Sequence, residues 1–152
     1  MSYVRSAIAL LAAVAASASA SAETPAVSAK RFVDRLYGNV GPAVHDAQIY
    51  TPDLARLIAR AEAVARRTDD PDLVGTALCN CQNLEELHAR STVVSTTQTK
   101  ALVRVLLTGG VDGPARFLLK LVRGPAGWRL ADTIAEHGGS YAANLRADIR
   151  RK

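Results

Sequence analysis

The sequence has few cysteines and aromatic residues, with two cysteines and one tryptophan among 152 residues, and it has no long apolar run after residue 22. No later stretch approaches the roughly 20 apolar residues that a transmembrane helix needs, so we expect no transmembrane segment. No serine stands in a nucleophile motif such as G-x-S-x-G, and His45, His88 and His137 lack the spacing of metal ligands. The sequence therefore predicts no metal or other cofactor, and it indicates no catalytic residue.

The first 22 residues have the pattern of a secretory signal peptide. One cation, Arg5, precedes an apolar run over residues 7–16, and small residues follow as far as Ala22. The apolar run is about half as long as a membrane-spanning helix. We expect cleavage near Ala22 and a periplasmic or secreted protein that consists of residues 23–152.

Residues 23–152 are predicted to form one domain, because a chain of this length buries roughly two-thirds of its unfolded surface. The chain has 19 Lys and Arg and 14 Asp and Glu. Only Arg5 among these lies before residue 23, so cleavage lowers the net charge from +5 to +4. Export argues against nucleic acid as a partner. The charge indicates either a solvated basic face or attraction to an anionic envelope surface.

Two helices are predicted at the start of the mature chain, each after a Thr-Pro pair. Thr24-Pro25 and Thr51-Pro52 supply a cap for free backbone N–H groups and a residue that suits the first helical turn. Apolar residues then recur at three- and four-residue spacing, which predicts one buried face on each helix. Ser140 is predicted to cap a short C-terminal helix.

In the middle of the chain, apolar residues recur at every second position. Alternating apolar residues or β-branched runs predict strands at 89–98, 101–107, 116–122 and 128–134. Turn-rich connections at 108–114 and 124–127 suit antiparallel hairpins. We therefore predict an α+β fold in which N-terminal helices pack on one face of a curved antiparallel sheet. A pocket is expected between the sheet and the helices.

Two stretches carry a family resemblance: ALCNCQN, at residues 77–83, and LVRGPAGWRLADT, at residues 121–133. They resemble a group of small exported bacterial proteins with a Leu-Cys-x-Cys-Gln motif, classed as a domain of unknown function in the nuclear transport factor 2-like superfamily. The resemblance covers residues 29–145 and implies an open cone of helices against a bent sheet. It implies no activity, because this superfamily contains both enzymes and binding proteins.

The resemblance is incomplete at several polar positions. The matching residues are Leu78, Cys79, Cys81, Gln82, Trp128, Arg129 and Asp132. Thr76, Asn83 and Ala131 stand where the family pattern implies acidic residues. If the family uses a cluster of carboxylates for catalysis or metal binding, this chain lacks most of that cluster.

Cys79 and Cys81 are separated by one residue. An oxidising compartment favours their pairing. A disulfide between them would close a loop of about three residues and would restrict the unfolded chain little. It would stabilise the folded state by about 1.6 kcal/mol, compared with about 3 kcal/mol for a disulfide that closes a fifteen-residue loop. Three interpretations stay open: a local structural disulfide, two buried or free thiols, and a redox, metal-binding or intermolecular role.

Asp132 is the main candidate for a pocket residue. By alternation it shares a face with Trp128, Leu130 and Ile134. A carboxylate on that apolar side is costly unless it is paired. Asp132 is therefore predicted to be either a general base or ligand anchor, or else a buried ion pair or backbone cap. Arg104 and Arg129 are the predicted partners in the second case.

The function predicted from the sequence is a non-enzymatic cell-envelope module that binds another protein or a small ligand. Trp128, Tyr37 and Gln82 are further pocket candidates, with core packing or backbone hydrogen bonding as the alternatives. One alternative function is a small pocket enzyme that uses Asp132 for proton transfer or hydrolysis. Another is a thiol-disulfide factor that acts through Cys79 and Cys81. The sequence leaves a homodimer open.

Overall fold

A computed structural model describes residues 23–38, 46–78, 87–109 and 113–152, except the side chain of Asp72. The described helices are α1 (Pro25–Gly38), α2 (Pro52–Thr68) and α3 (Tyr141–Arg151), and 3-10 turns span Ala47–Ile49 and Pro71–Leu73. The strands are β1 (His88–Thr96), β2 (Lys100–Thr108), β3 (Ala115–Gly124), β4 (Gly127–Ala135) and β5 (Gly139–Ser140). The predicted signal peptide and the candidates Cys79, Cys81 and Gln82 lie outside the described residues, as does His45.

The helices begin where the sequence predicts them. Thr51 Oγ1 accepts a hydrogen bond from Leu54 N at 3.4 Å, and Ser140 Oγ accepts one from Ala143 N at 3.1 Å. Each cap satisfies a backbone N–H that has no partner within its helix. No helix in the described ranges is both long and apolar enough to cross a bilayer.

The strands form one open antiparallel sheet in the order β1-β2-β3-β4-β5. The predicted α+β class, the meander and the short C-terminal helix are confirmed. β5 contains two residues, which is too short to produce an alternating sequence pattern.

The three helices pack toward one face of the sheet, called here the inner face, where the core lies. Ala101, Val103, Val105, Phe117, Leu119, Leu121 and Leu130 project from the sheet into the core. Phe32, Val33 and Leu36 reach it from α1. Val103 and Leu119 are paired across β2 and β3 and have no exposed surface, so this pair lies at the centre of the core.

A one-residue bulge interrupts β4 at Ala131. Leu130 pairs with Leu121, and Asp132 pairs with Lys120, so Ala131 has no residue opposite it. Lys120 projects from the face of the sheet that is turned away from the helices, called here the outer face. Asp132, as its partner, lies on the same outer face.

The bulge corrects one prediction. Asp132 does not share a face with Trp128 and Leu130, because one extra residue reverses the alternation of every side chain that follows it. Asp132 and Ile134 lie on the outer face, and Thr133 takes the buried inner position with 4% of its surface exposed.

Thr133 offers a test of this register. Its Oγ1 is buried and has no hydrogen-bond partner in the described part of the chain. An unpaired buried hydroxyl costs about 1–3 kcal/mol, so we expect Thr133→Val to raise the free energy of unfolding in urea by about 1 kcal/mol. Thr133→Ser, which keeps the hydroxyl and removes a methyl group, should lower it. A valine variant that is less stable than the parent would contradict the inward orientation.

β4 is also the strand to which α2 and α3 are attached. Thr51, the cap of α2, donates its backbone N–H to the carbonyl of Leu130 at 2.8 Å, and Tyr50 forms a parallel bridge with Leu130. Asp132, on the other side of the bulge, accepts a hydrogen bond from Ala142 N in α3. The starts of two helices therefore meet the sheet within three residues of one strand.

Candidate ligand-binding site

Asp132 holds the start of α3. Its carboxylate accepts hydrogen bonds from Ser140 Oγ at 2.8 Å, Ala142 N at 3.1 Å and Thr133 N at 3.0 Å. Lys120 Nζ lies 3.7 Å from the same oxygen that binds Ser140. The side chain of Asp132 is 13% exposed. Both oxygens are therefore engaged by the fold, as in the backbone-cap hypothesis.

The cation beside Asp132 is Lys120, and neither Arg104 nor Arg129 is in ion-pair contact with it. The prediction of an arginine partner is therefore wrong. The bulge explains the difference, because it places Asp132 directly opposite Lys120 on β3.

Tyr37 is anchored in the core, where its hydroxyl donates to the carbonyl oxygen of Leu78 at 2.7 Å. Burial raises the pKa of the Tyr37 hydroxyl well above its usual range. Its ring borders a cleft of about 450 Å³ between α1 and the start of β1. Tyr37 therefore lines a cleft, but its polar atom already has a partner.

The central polar groups of the Tyr37 cleft bind one another. Lys30 Nζ lies 2.7 Å from Asp34 Oδ2, and the Ser91 hydroxyl donates to the other oxygen of Asp34. Partial burial raises the pKa of Asp34, but the hydrogen bonds from Lys30 and Ser91 outweigh it and leave this pKa below its usual value. These three side chains have little capacity left for a ligand.

Trp128 lies at a different cleft, of about 320 Å³, between α1, the 3-10 turn at Ala47–Ile49 and the β3–β4 hairpin. Its Nε1 donates to Ser28 Oγ at 2.9 Å. The guanidinium carbon of Arg123 lies 5.7 Å from the ring centroid, which is within cation–π distance. The indole is 7% exposed, so contacts from α1 and β3 hold it in place.

The Trp128 cleft has an excess of positive charge. Its charged residues are Arg31, Arg35, Arg123, Glu23 and Asp46. Arg31 lies 3.1 Å from Glu23, and Asp46 uses a carboxylate oxygen to cap the neighbouring 3-10 turn. Arg35 and Arg123 form no ion pair within the described ranges. Two guanidinium groups at this cleft are therefore available to an anion.

Apolar side chains form the other part of the same cleft. Phe32, Ile49 and Ala126 line it beside Trp128. A cleft with an apolar wall and a few charged groups suits a small molecule that has an apolar body and an anionic group.

The structure does not bring the predicted site residues together. Trp128 and Tyr37 border separate clefts, and Asp132 lies on the outer face of the sheet. No three His, Cys, Asp or Glu side chains in the described ranges are placed to hold a metal ion. Arg35 and Arg123 are not among the site residues that the sequence predicted. Arg31 and Arg35, four residues apart on one side of a helix, were the pattern that could have indicated a basic site.

Comparisons with known proteins give a weak likeness to a solved structure. No protein-family profile and no curated protein matches the chain. The fold is similar to a phospholipid-binding protein from Ralstonia solanacearum, solved in complex with a phospholipid, at 17% identity and a TM-score of 0.39. The likeness covers 78% of this chain and 59% of that one, so this chain spans less than two thirds of that protein.

Proposed function

We propose that this protein is an exported, non-enzymatic binding module of the bacterial cell envelope. Its ligand is a small molecule with an anionic group, such as a carboxylate or phosphate, and an apolar body. The binding site is the Trp128 cleft. The observation that supports this proposal is the pair of guanidinium groups, Arg35 and Arg123, without carboxylate partners among the described residues at a cleft that also has an apolar wall.

The arginines favour an oxyanion over other ligands. A guanidinium presents a planar set of donors that matches a carboxylate or phosphate with two parallel hydrogen bonds. Arg35 lies on α1 and Arg123 on β3, so a bound anion would connect a helix to the sheet. Glu23 neutralises only Arg31, and the cleft keeps a net positive charge.

The position of Asp132 argues against the enzyme alternative. A general base needs an oxygen that can reach a substrate proton, but the oxygens of Asp132 accept three hydrogen bonds from the protein itself. The side chain also lies on the outer face of the sheet, whereas Trp128 and its cleft lie on the inner face.

This proposal also includes export and the cone-shaped fold of the nuclear transport factor 2-like superfamily. The oxidation state of Cys79 and Cys81 belongs to it as well. Three helices on one face of a bulged antiparallel sheet are compatible with such a cone.

Cell fractionation would test export, and envelope pull-down with residues 23–152 would test for a protein partner. Mass spectrometry after thiol alkylation would distinguish a disulfide at Cys79 and Cys81 from free thiols. A mixed disulfide with a partner would favour the thiol-disulfide alternative.

Ligand binding can be measured through Trp128, the single tryptophan of the chain. We expect benzoate and phenyl phosphate to change its fluorescence saturably, and benzyl alcohol, which has a similar body without the anion, to bind at least about tenfold more weakly. Arg35→Gln with Arg123→Gln should weaken anion binding by about tenfold or more, because a hydrogen bond to a charged group contributes about 1.5–3 kcal/mol.

The matched control is Arg60→Gln with Arg67→Gln, which removes the same charge from exposed positions of α2. These variants should bind like the parent. If both double variants lost the same affinity for the anions, net charge alone would explain binding. If the parent protein bound benzyl alcohol as tightly as the anions, Arg35 and Arg123 would not be recognising the anionic group.

A further inference from the structure

The outer face of the sheet has an uneven charge. Its strands project six cations there: Arg90, Lys100, Arg104, Arg116, Lys120 and Arg129. Two acids accompany them, Asp132 on the face and Glu136 just after β4. This excess of four positive charges equals the net charge of residues 23–152, so the rest of the mature chain is balanced.

Most of these cations have no ion-pair partner among the residues that the structure describes. Arg116 lies 3.2 Å from Glu136 and Lys120 lies 3.7 Å from Asp132. The other four cations form no ion pair with any residue that the structure describes. Arg90, Lys100 and Arg104 are exposed, so they are available to an external anionic surface.

An aliphatic patch lies among the cations. Leu102, Leu106, Leu118 and Ile134 project from the outer face and are only partly buried. A shallow depression of about 310 Å³ lies over Leu118 and Ile134, and Arg104 and Arg116 border it. None of these four side chains belongs to the core clusters that the described helices form with the sheet, so the patch faces outward together with its cations.

These features favour a lipid surface over a protein partner. A second copy would place two basic faces against each other, and like charges at close range are repulsive. Protein interfaces have cores that are depleted in charge and enriched in aromatic residues. This face has Arg104 in its central row and no Phe, Tyr or Trp on its described strands. Arginine and lysine interspersed with aliphatic side chains match anionic headgroups above acyl chains.

We propose that the outer face of the sheet docks this protein on an anionic phospholipid membrane. The cations pair with headgroup phosphates, and the aliphatic patch contacts the upper part of the acyl chains. This orientation turns the helices and the Trp128 cleft away from the bilayer plane. The proposal does not depend on the ligand of that cleft.

Vesicle co-sedimentation of residues 23–152 tests the proposal. We expect binding at low salt to phosphatidylcholine vesicles with roughly one third phosphatidylglycerol and no measurable binding to pure phosphatidylcholine. Replacing Arg90, Lys100 and Arg104 together by glutamine should weaken binding about 100-fold, since each cation near an anionic surface contributes about fivefold. None of the three has an ion-pair partner in the described ranges, so no acid loses its partner.

The matched control replaces Arg60, Arg66 and Arg67 of α2 by glutamine, which removes the same charge from exposed positions. It should keep most of the vesicle affinity. An equal loss in both triple variants would overturn the proposal, because net charge alone would then explain binding. Failure to bind the anionic vesicles, or binding to polyglutamate with no binding to vesicles, would also overturn it. Benzoate binding in the cleft is measured separately, so either proposal can fail alone.

Discussion

Replacing Asp132 with alanine should lower the free energy of unfolding by about 3 kcal/mol, as measured by urea denaturation of residues 23–152. The carboxylate accepts hydrogen bonds from Ser140 Oγ, Ala142 N and Thr133 N. Each hydrogen bond to a charged group contributes about 1.5–3 kcal/mol, and bonds to one group are not additive. Loss of the carboxylate frees Thr133 N in β4 as well as Ser140 Oγ and Ala142 N at the start of α3, where a helix has no partner of its own for its first N–H groups.

Two variants separate this effect from simple loss of charge. Asp132→Asn keeps one acceptor oxygen, so it should lower the free energy of unfolding less than Asp132→Ala does. Asp53→Ala removes an acid whose side chain is 85% exposed, and its ion pair with Arg56 contributes at most about 1 kcal/mol. If Asp132→Ala lowers the free energy of unfolding no more than Asp53→Ala does, Asp132 does not anchor α3.

Alkaline pH should unfold the protein before its tyrosines ionise in the folded state. Burial raises the pKa of Tyr37 and Tyr141 well above the usual value, and burial together with the charge of Asp46 raises the pKa of Tyr50 to about 12. An unfolded tyrosine has a pKa of about 10. Above that pH the folded state holds more protons than the unfolded state, so stability is complete below pH 10 and falls as pH rises.

The expected loss is about 1.4 kcal/mol per pH unit for each shielded tyrosine between its unfolded and folded pKa values. Tyrosinate absorbance and circular dichroism should therefore change together as pH rises. Tyr37→Phe removes one ionising group and should make the dependence less steep by about 1.4 kcal/mol per pH unit. Reversible ionisation of the three tyrosines of residues 23–152 near pH 10, with the circular dichroism unchanged, would disprove the burial of their hydroxyl groups.

The sequence predicted the helices and the four long strands well, because their periodicity is a local property. Thr51 and Ser140 marked helix starts through a side-chain oxygen that reaches a backbone N–H three residues away. The alternation in residues 101–107 and 116–122 follows from a sheet with one buried face.

The site was predicted less well, because it depends on long-range pairing. The bulge at Ala131 is set by the alignment of β4 with β3, and no local pattern marks it. It moved Asp132 to the outer face and gave it Lys120 as a partner. Trp128 lies at a cleft that its contact with Ser28 on α1 helps to form, and this contact joins residues far apart in sequence.

The attachment of α2 and α3 to β4 has a consequence for folding fidelity. A slip of β4 by one position would break the hydrogen bond of Thr51 to Leu130 and remove the carboxylate of Asp132 from Ala142. Most misaligned hairpins lose only cross-strand contacts, but here a misalignment would also release two helices. The native register is thereby separated from its one-residue slips by a larger energy gap than strand pairing alone would give.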